Sequence, residues 1–215
     1  QAQFDADRWD NARPDNRFEG DRFVADTVYH LDLESPGWIE GFTYLSKTHR
    51  HLHAQRPQFG APTSILEWTD DSWFFGVGAR VQKEVELAGM DHTLYAGLRY
   101  QREWLPSYAL FSQPWGGGAA TQTQDTEFTL DTISLHFDDT FKPVDRLTIQ
   151  IGARMEWVPN ASGSDPILGW NFDDEFFTVL PGIGASYELT SRWAVFANYF
   201  HGFRAPQVWG YRDAA

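Results

Sequence analysis

The chain has 215 residues, a length typical of one domain. Its 42% hydrophobic and 22% charged residues exclude a disordered chain, and a formal net charge of -13 argues against a nucleic-acid partner, which needs a basic face. Cysteine is absent, so disulfides, a cysteine-based zinc site and a thiol nucleophile are excluded. Aromatic residues make up 16% of the chain, an excess typical either of an unusually aromatic core or of a membrane–water interface.

Five segments alternate between apolar and polar residues with a period of two, which is the pattern of a β-strand with one apolar face. They cover residues 23–34, 75–85, 94–104, 147–157 and 177–189. In the first, the residues on one side begin with Phe23 and those on the other include Asp26 and His30. No segment of comparable length shows the stripe of an amphipathic helix, so the sequence predicts an all-β chain of eight strands.

The predicted connections alternate between short and long. Short turns are predicted near Glu34–Gly37, Leu87–Asp91, Lys142–Asp145 and Thr190–Ser191. Long polar loops are predicted near His51–Ser72, Leu105–Thr126 and Pro159–Glu175. Strands of about 11–14 residues between them are long enough to cross a bilayer at a tilt. Short turns on one side and long loops on the other are typical of an outer-membrane β-barrel. A soluble β-sandwich remains an alternative, although its strands would be shorter.

Three pieces of the chain resemble TonB-dependent outer-membrane receptors. The piece DDTFKPVDRLTIQIGARMEW (Asp138 to Trp157) resembles a hairpin that enters its periplasmic turn through a DTFKP-like segment and leaves through RLTLxxGxRxE. The piece LPGIGASYELTSRWAVFANYFHGFRAPQ (Leu180 to Gln207) resembles the next hairpin, which ends in GFRAP. The piece AGMDHTLYAGLRYQRE (Ala88 to Glu103) resembles the ferric-citrate and siderophore branch of the family. Together the three pieces cover residues from about 73 to 207.

The resemblance implies an antiparallel, up-and-down transmembrane β-barrel, which in complete receptors closes 22 strands around a plug. The apolar face would meet lipid, the polar face would line the lumen, and the tight turns would face the periplasm. Nothing in the 215 residues resembles the plug or its energy-coupling box. We therefore expect residues 1–215 to be a partial barrel domain without a plug, contributing about eight strands of the larger barrel. A closed eight-stranded barrel is the structural alternative.

The resemblance also implies a function and a location. The expected role is uptake of a ferric siderophore or ferric-citrate-like chelate, or another scarce nutrient, across the outer membrane of a Gram-negative bacterium. Energy would come from the TonB complex through the missing plug, and the lipid of the outer membrane would be a further partner. No cofactor and no catalytic activity are expected, because no paired carboxylates or nucleophile elbow are present. The alternatives are a self-contained small barrel with a structural or adhesive role, and a soluble sandwich that binds glycans.

The candidate ligand-binding residues are arginines and loop tryptophans. Four arginines fall on predicted lumen-facing positions: Arg80, Arg99, Arg154 and Arg204. An arginine offers a planar, permanently charged fork that matches a carboxylate, such as those of a citrate chelate. Each arginine also has a structural interpretation, which is pairing with the plug or with a lumen carboxylate such as Glu84, Glu103 or Glu156. Trp115 and Trp170, in predicted outer loops, complete the set, with packing of the loops against themselves as the alternative.

Three histidines, His49, His51 and His53, follow one another at strand spacing, which places their imidazoles on one face. Neutral imidazole is a ligand for Zn, Cu, Fe and Ni, so the run is a candidate metal site. The competing interpretation is an exposed strand end that runs into a loop. We predict no metal site in this chain.

Overall fold

A computed structural model describes residues 16–58 and 61–202 of the chain. These residues form eight β-strands, and no helix long and apolar enough to cross a membrane occurs among them. The strands are β1 (Arg17–Asp32), β2 (Gly37–Gln58), β3 (Ala61–Leu87), β4 (Met90–Pro114), β5 (Thr121–Val144), β6 (Leu147–Asp165), β7 (Trp170–Thr190) and β8 (Trp193–Phe200).

The eight strands form one sheet in which each strand pairs with the next in antiparallel orientation. Strand β1 pairs with β2 and strand β8 pairs with β7, and the two edges are not paired with each other in the described part of the chain. The predicted all-β, up-and-down architecture is confirmed. The edge-to-edge pairing of a closed eight-stranded barrel is not observed between these strands, and no second sheet is packed on the first as a sandwich requires.

The four tight turns lie where the sequence predicts them, to within three residues. The turn between β3 and β4 consists of Ala88 and Gly89, whose φ angles are 54° and 75°. Two consecutive residues with positive φ are the signature of a type I′ turn, whose twist matches that of the two strands it joins. Glycine adopts this conformation without strain, which explains why Gly89 follows Ala88 at the tip.

The predicted long loops are wrong in extent, because most of their residues continue the strands. Between β2 and β3 only residues 59–60 separate the strands, and the next two outer connections are limited to residues 115–120 and 166–169. The strands from β1 to β7 are accordingly 16 to 27 residues long. In these outer parts apolar and polar residues do not alternate regularly, and buried apolar residues such as Tyr108, Val158 and Ala161 lie among the polar ones. The period of two therefore does not mark the strands there.

The register aligns the apolar positions of neighbouring strands into one continuous face. In one row Ala79 stands opposite Leu98, and Leu98 stands opposite Leu135. The row continues through Met155 to Val179. On β3 this face extends from Trp73 to Lys83, about 33 Å of strand, which at a tilt of about 40° spans about 25 Å, the height of the apolar band of an outer-membrane barrel.

In this sheet the apolar face is exposed and the polar face is buried, which is the reverse of the arrangement in a soluble protein. The apolar face stays exposed, since Val77, Leu98 and Phe137 retain 44%, 54% and 49% of their accessible surface. The polar face is crowded instead, and Ser134 and Glu156 on it retain 4% and 2%. The sheet therefore curves toward its polar face, which we call the inner face, and presents its apolar outer face to the surroundings. A lipid bilayer is the environment that makes this arrangement favourable.

Candidate ligand-binding cleft

Two neighbouring rows of cross-strand pairs build the candidate site on the inner face of β2 to β6. The first row runs from Glu40 on β2 through Arg80, Gly97 and His136 to Arg154 on β6. The second row runs from Phe42 through Gly78, Arg99 and Ser134 to Glu156. Because side chains alternate along each strand, the members of both rows point to the same face.

The two rows enclose a cleft of about 190 Å³. Its lining includes Phe42, Arg80, Arg99, Ser134, His136 and Arg154. Three of the four predicted arginines therefore line one cleft, although they come from three different strands. The fourth, Arg204, lies outside the described residues.

Arg80 is held by an ion pair and by an aromatic ring. Its guanidinium donates to the carboxylate of Glu40 and lies 5.7 Å from the ring centre of Trp38, in cation–π contact. Glu40 also bonds the His30 ring at 2.9 Å. About half of the Arg80 side chain, 53%, remains exposed, so the pairing leaves donors of this arginine available to the cleft.

Arg99 and Arg154 share one carboxylate. Arg154 donates directly to Glu156, whereas Arg99 donates to the Ser134 hydroxyl at 3.3 Å and that hydroxyl donates to Glu156 at 2.6 Å. The Glu156 side chain is 1% exposed. A carboxylate buried this deeply requires such partners, since an uncompensated buried charge is strongly destabilising.

Arg99 is the least satisfied of the three arginines. It forms no ion pair within 4.0 Å with any residue that the structure describes, and its Nε is buried without a hydrogen-bond partner among them. Another predicted partner, Glu103, instead accepts a hydrogen bond from Gln101 at 2.6 Å. A buried, unpaired donor carries a desolvation cost that an anionic ligand in the cleft would relieve.

Two glycines make room for the large side chains of the cleft. Gly97 stands directly opposite His136, and a Cβ at this glycine would overlap the His136 ring. Gly78 stands opposite Phe42, whose ring would meet a Cβ there at 2.5 Å. The imidazole and the phenyl ring therefore lie flat across the neighbouring strand, which shapes the floor of the cleft.

The sequence from residue 1 to residue 214 matches the protein family described as "TonB dependent receptor-like, beta-barrel". The chain belongs to this family. The match extends over almost all of the 215 residues and so includes every residue of the cleft.

Solved structures of the same fold are receptors and transporters. The unliganded ferric citrate transporter FecA has a TM-score of 0.80 and 23% sequence identity, over 92% of this chain and 30% of FecA. BauA, the ferric preacinetobactin receptor from Acinetobacter baumannii, has a TM-score of 0.70 and 14% identity, over 86% and 31%. The pyoverdine outer membrane receptor FpvA from Pseudomonas aeruginosa PAO1, bound to pyoverdine, has a TM-score of 0.72 and 13% identity, over 85% and 29%. This TonB-dependent receptor chain thus spans less than a third of each of these structures.

The predicted tryptophans lie far from the cleft of this receptor chain. Trp115 opens the connection after β4 and is 45% exposed, about 50 Å along the strand from Arg99. Trp170 begins β7, roughly 30 Å along that strand from the position opposite Arg154. Its ring stacks on Phe172 at 5.9 Å. Both tryptophans lie at the outer tips, so they and the arginines do not form one site in the described structure.

The three histidines lie on the outer face of β2, and each has its own neighbours. His49 bonds Asp71 at 3.1 Å and His53 bonds Glu67 at 2.8 Å, while His51 stands opposite Glu19 and Thr69. No group of three or more His, Cys, Asp or Glu suited to holding a metal ion occurs among the described residues. The three imidazoles do lie on one face of β2, but His49 and His53 are each bonded to an acid of the neighbouring strand.

Several members of the cleft were not identified in the sequence, namely Glu40, Phe42, Ser134 and His136. The alternation of faces places each of them on the inner side, but it does not give the register between strands. Trp38 was not identified either; it shares the inner face with Glu40 and donates to Gln82 at 2.7 Å.

Proposed function

We propose that this chain is part of the barrel wall of an outer-membrane receptor of a Gram-negative bacterium, and that the receptor takes up an anionic ferric chelate. The observation that supports this proposal is the convergence of Arg80, Arg99 and Arg154 on one inner-face cleft. Uptake energised through TonB and a plug in the same receptor is part of the proposal, since complete members of this family use both.

A carboxylate-rich chelate such as ferric citrate fits the chemistry of the cleft. Three guanidinium groups and one imidazole offer many N–H donors and no acceptor other than the imidazole nitrogen. The two acids hydrogen-bonded to the arginines, Glu40 and Glu156, leave a positive excess of one on the three arginines. The structurally similar protein FecA is named as a ferric citrate transporter, which supports a carboxylate-rich chelate as the ligand class.

The first test replaces Arg99 by Gln in the complete receptor that contains this chain. We expect the affinity for ferric citrate to fall roughly 10- to 100-fold, because a hydrogen bond to a charged group contributes about 1.5–3 kcal/mol. The measurement is equilibrium binding of radioactive iron citrate to the purified receptor in detergent.

The matched control is Arg192→Gln, which removes an arginine from an exposed tight turn. Its affinity should equal that of the unaltered receptor. If Arg99→Gln binds ferric citrate as tightly as the control, the cleft is not the ligand site. If neither the unaltered receptor nor the control binds ferric citrate, citrate is not the chelating ligand. The same assay is then repeated with other anionic ferric chelates.

Energised transport is tested in cells. Cells that carry the complete receptor should accumulate radioactive iron citrate, and deletion of TonB should abolish accumulation while leaving surface binding intact. Accumulation that is independent of TonB would contradict this part of the proposal.

The size of the native protein tests the alternative of a self-contained small barrel. An antibody raised against the Asp138–Trp157 hairpin should detect, in isolated outer membranes, a product about three times as long as the 215-residue chain, since the chain covers about 30% of related structures. A membrane product of 215 residues would instead favour a small structural or adhesive barrel. The unpaired edges of β1 and β8 argue against that outcome.

A further inference from the structure

A trough adjoins the ligand cleft on the inner face of β6 to β8 and extends from it toward the tight turns. It consists of two cavities of about 450 Å³ and 200 Å³, which share Gly152 and Gly182 in their lining. His136 and Arg154 line both the cleft and the larger cavity, so the cleft opens into the trough at these two side chains. From Arg154 the trough reaches Gln150 on β6, about 13 Å along the strand.

The floor of the trough is the bare backbone of two glycines on β7. Gly182 stands opposite Phe200, and Gly184 stands opposite Asn198. A Cβ on Gly182 would lie 3.6 Å from its nearest contact, and a Cβ on Gly184 would lie 3.8 Å from its own. Both are ordinary contact distances, whereas a Cβ on Gly97 in the cleft would overlap the ring that covers it. Unlike Gly97, the two glycines of β7 are therefore not covered by a neighbouring side chain.

Uncovered glycines inside a strand have a known meaning. Such positions mark places where a ligand or another backbone approaches the strand closely. The space above Gly182 and Gly184 is reached directly from the cleft, because the larger cavity borders both Arg154 and Gly182. A molecule that leaves the arginines toward the tight turns thus meets open space along the wall.

The trough carries much less positive charge than the cleft. Among the described residues, Arg154 at its upper end is the one lysine or arginine that lines it. Asp138 lines both cavities, and its carboxylate lies over Gly152. This carboxylate forms no ion pair with a residue that the structure describes. An anion that moves from the cleft into the trough therefore exchanges three arginines for one arginine and one acid, and it is held more weakly there.

We propose that the trough is the exit path along which the ferric chelate leaves the cleft toward the periplasm. This inference rests on the proposed function, because it presupposes that an anionic chelate binds in the cleft. The uncovered glycines leave room for the chelate beside the barrel wall. The scarcity of cations prevents the chelate from lodging there, and passage through a pore requires binding weak enough for the solute to leave.

The test fills the trough in the complete receptor without altering the cleft. The variant is Gly184→Phe, about 13 Å along β7 from Leu180, the residue that stands opposite Arg154. Phenylalanine is favoured in strands, and a Cβ fits at this position. Equilibrium binding of radioactive iron citrate to the purified receptor should be unchanged. Accumulation of iron citrate in cells that contain TonB should fall about tenfold, which corresponds to a barrier raised by about 1.4 kcal/mol.

A cysteine at the same position gives a graded form of the test. The 215 residues contain no cysteine, so Gly184→Cys supplies the one thiol of this chain. The thiol is labelled either with a methyl disulfide group or with a bulky aromatic maleimide, and labelling is confirmed by mass spectrometry. Accumulation of iron citrate should decrease with the size of the label while binding stays the same. Equal accumulation with the small and the large label would contradict the exit path.

The matched control is Ala185→Phe, which adds a ring to the next residue of β7 on the outer face. Its binding and accumulation of iron citrate should equal those of the unaltered receptor. Equal accumulation by Gly184→Phe and this control would overturn the exit path. Loss of ferric citrate binding in Gly184→Phe would also overturn it, because the trough would then belong to the binding site or to the packing of the receptor. Failure of the unaltered receptor to accumulate iron citrate would instead refute the uptake function itself, and the exit path with it.

Discussion

Several glycines on the inner face of this receptor chain are covered by a large side chain from the neighbouring strand. Gly76 stands opposite Tyr44, Gly97 stands opposite His136, and in both pairs a Cβ on the glycine would overlap the covering ring. Covering a glycine with a cross-strand ring restores contacts that the missing side chain would have made. At the residue scale, the inner face is thus built from complementary pairs, and enlarging one member should displace the other.

Replacing Gly76 by Ala tests this pairing. The new methyl group would push the Tyr44 ring away and break the hydrogen bond that the Tyr44 hydroxyl donates to Gln101 at 2.6 Å. We expect a loss of about 1–3 kcal/mol in the free energy of unfolding, the usual cost of overpacking. Urea unfolding of the receptor in detergent measures it. The control is Gly41→Ala, because a Cβ at Gly41 meets nothing within 4 Å. Equal stability of the two variants would contradict the pairing.

At the scale of the element, Asp165 fixes the outer end of the β6–β7 hairpin. The residue is fully buried. Its carboxylate accepts hydrogen bonds from the Thr126 hydroxyl at 2.8 Å and from the Asp125 N–H at 3.0 Å, which joins the hairpin to β5. It also accepts from the N–H groups of Ile167 and Leu168, both at 2.9 Å. One side chain thus closes the β6–β7 turn and joins it to β5.

The environment of Asp165 predicts a pH dependence. Burial by itself raises the pKa of this carboxyl, but the hydrogen bonds from the Leu168 N–H, the Thr126 hydroxyl and the other two N–H groups outweigh it, so the pKa lies below its usual value. The stabilisation is therefore fully present above the unfolded-state pKa of about 3.9, and it is lost as the pH falls through the lower folded-state pKa.

Replacing Asp165 by Asn should lower the stability of the outer hairpin near neutral pH by roughly 1–3 kcal/mol, because buried donors lose their acceptors. The difference from the unaltered receptor should shrink below about pH 4. Thermal unfolding at several pH values, with protease cleavage of the β6–β7 hairpin as the readout, measures both effects. The matched control is Asp173→Asn, an exposed position in the same hairpin. A difference that is independent of pH would contradict the role of the ionised carboxylate.

At the scale of the whole molecule, the sheet has two free edges and an exposed apolar face. Every described residue of β1 and β8 is exposed, and neither strand has a second neighbour in the sheet. Unpaired strand edges are templates for pairing with another chain. In the complete receptor, these edges would pair with further strands of the barrel.

The isolated 215-residue chain, refolded in detergent, should therefore self-associate through β1 and β8. Sedimentation velocity at increasing protein concentration measures the association, and we expect dimers and larger species. A proline in place of Phe196 on β8 should reduce association, because proline removes a backbone donor that points away from β7 at that edge. The control is Val144→Pro beside the β5–β6 turn, which leaves both edges intact. A concentration-independent monomer of the unaltered chain would contradict the prediction.

Much of this arrangement follows from the sequence alone. The period of two fixes the strand class and the face of each residue, so the inner-face positions of Arg80, Arg99 and Arg154 were predictable. The tight turns were predictable too, because glycine and polar residues interrupt the alternation there. The long outer parts of the strands were not, because apolar and polar residues do not alternate regularly there.

The tertiary structure decided which of these residues are neighbours. Pairing of Arg154 with His136, and of Ser134 with both Arg99 and Glu156, depends on the register between strands. Turn lengths and irregularities such as those at Asp71/Trp73 and Asp131/Ile133 set this register, and a shift by one residue would exchange the two faces. Side-chain direction is a local property of the chain, so the sequence determines it. Adjacency across strands depends on how the sheet pairs and curves, so only the folded structure establishes the cleft.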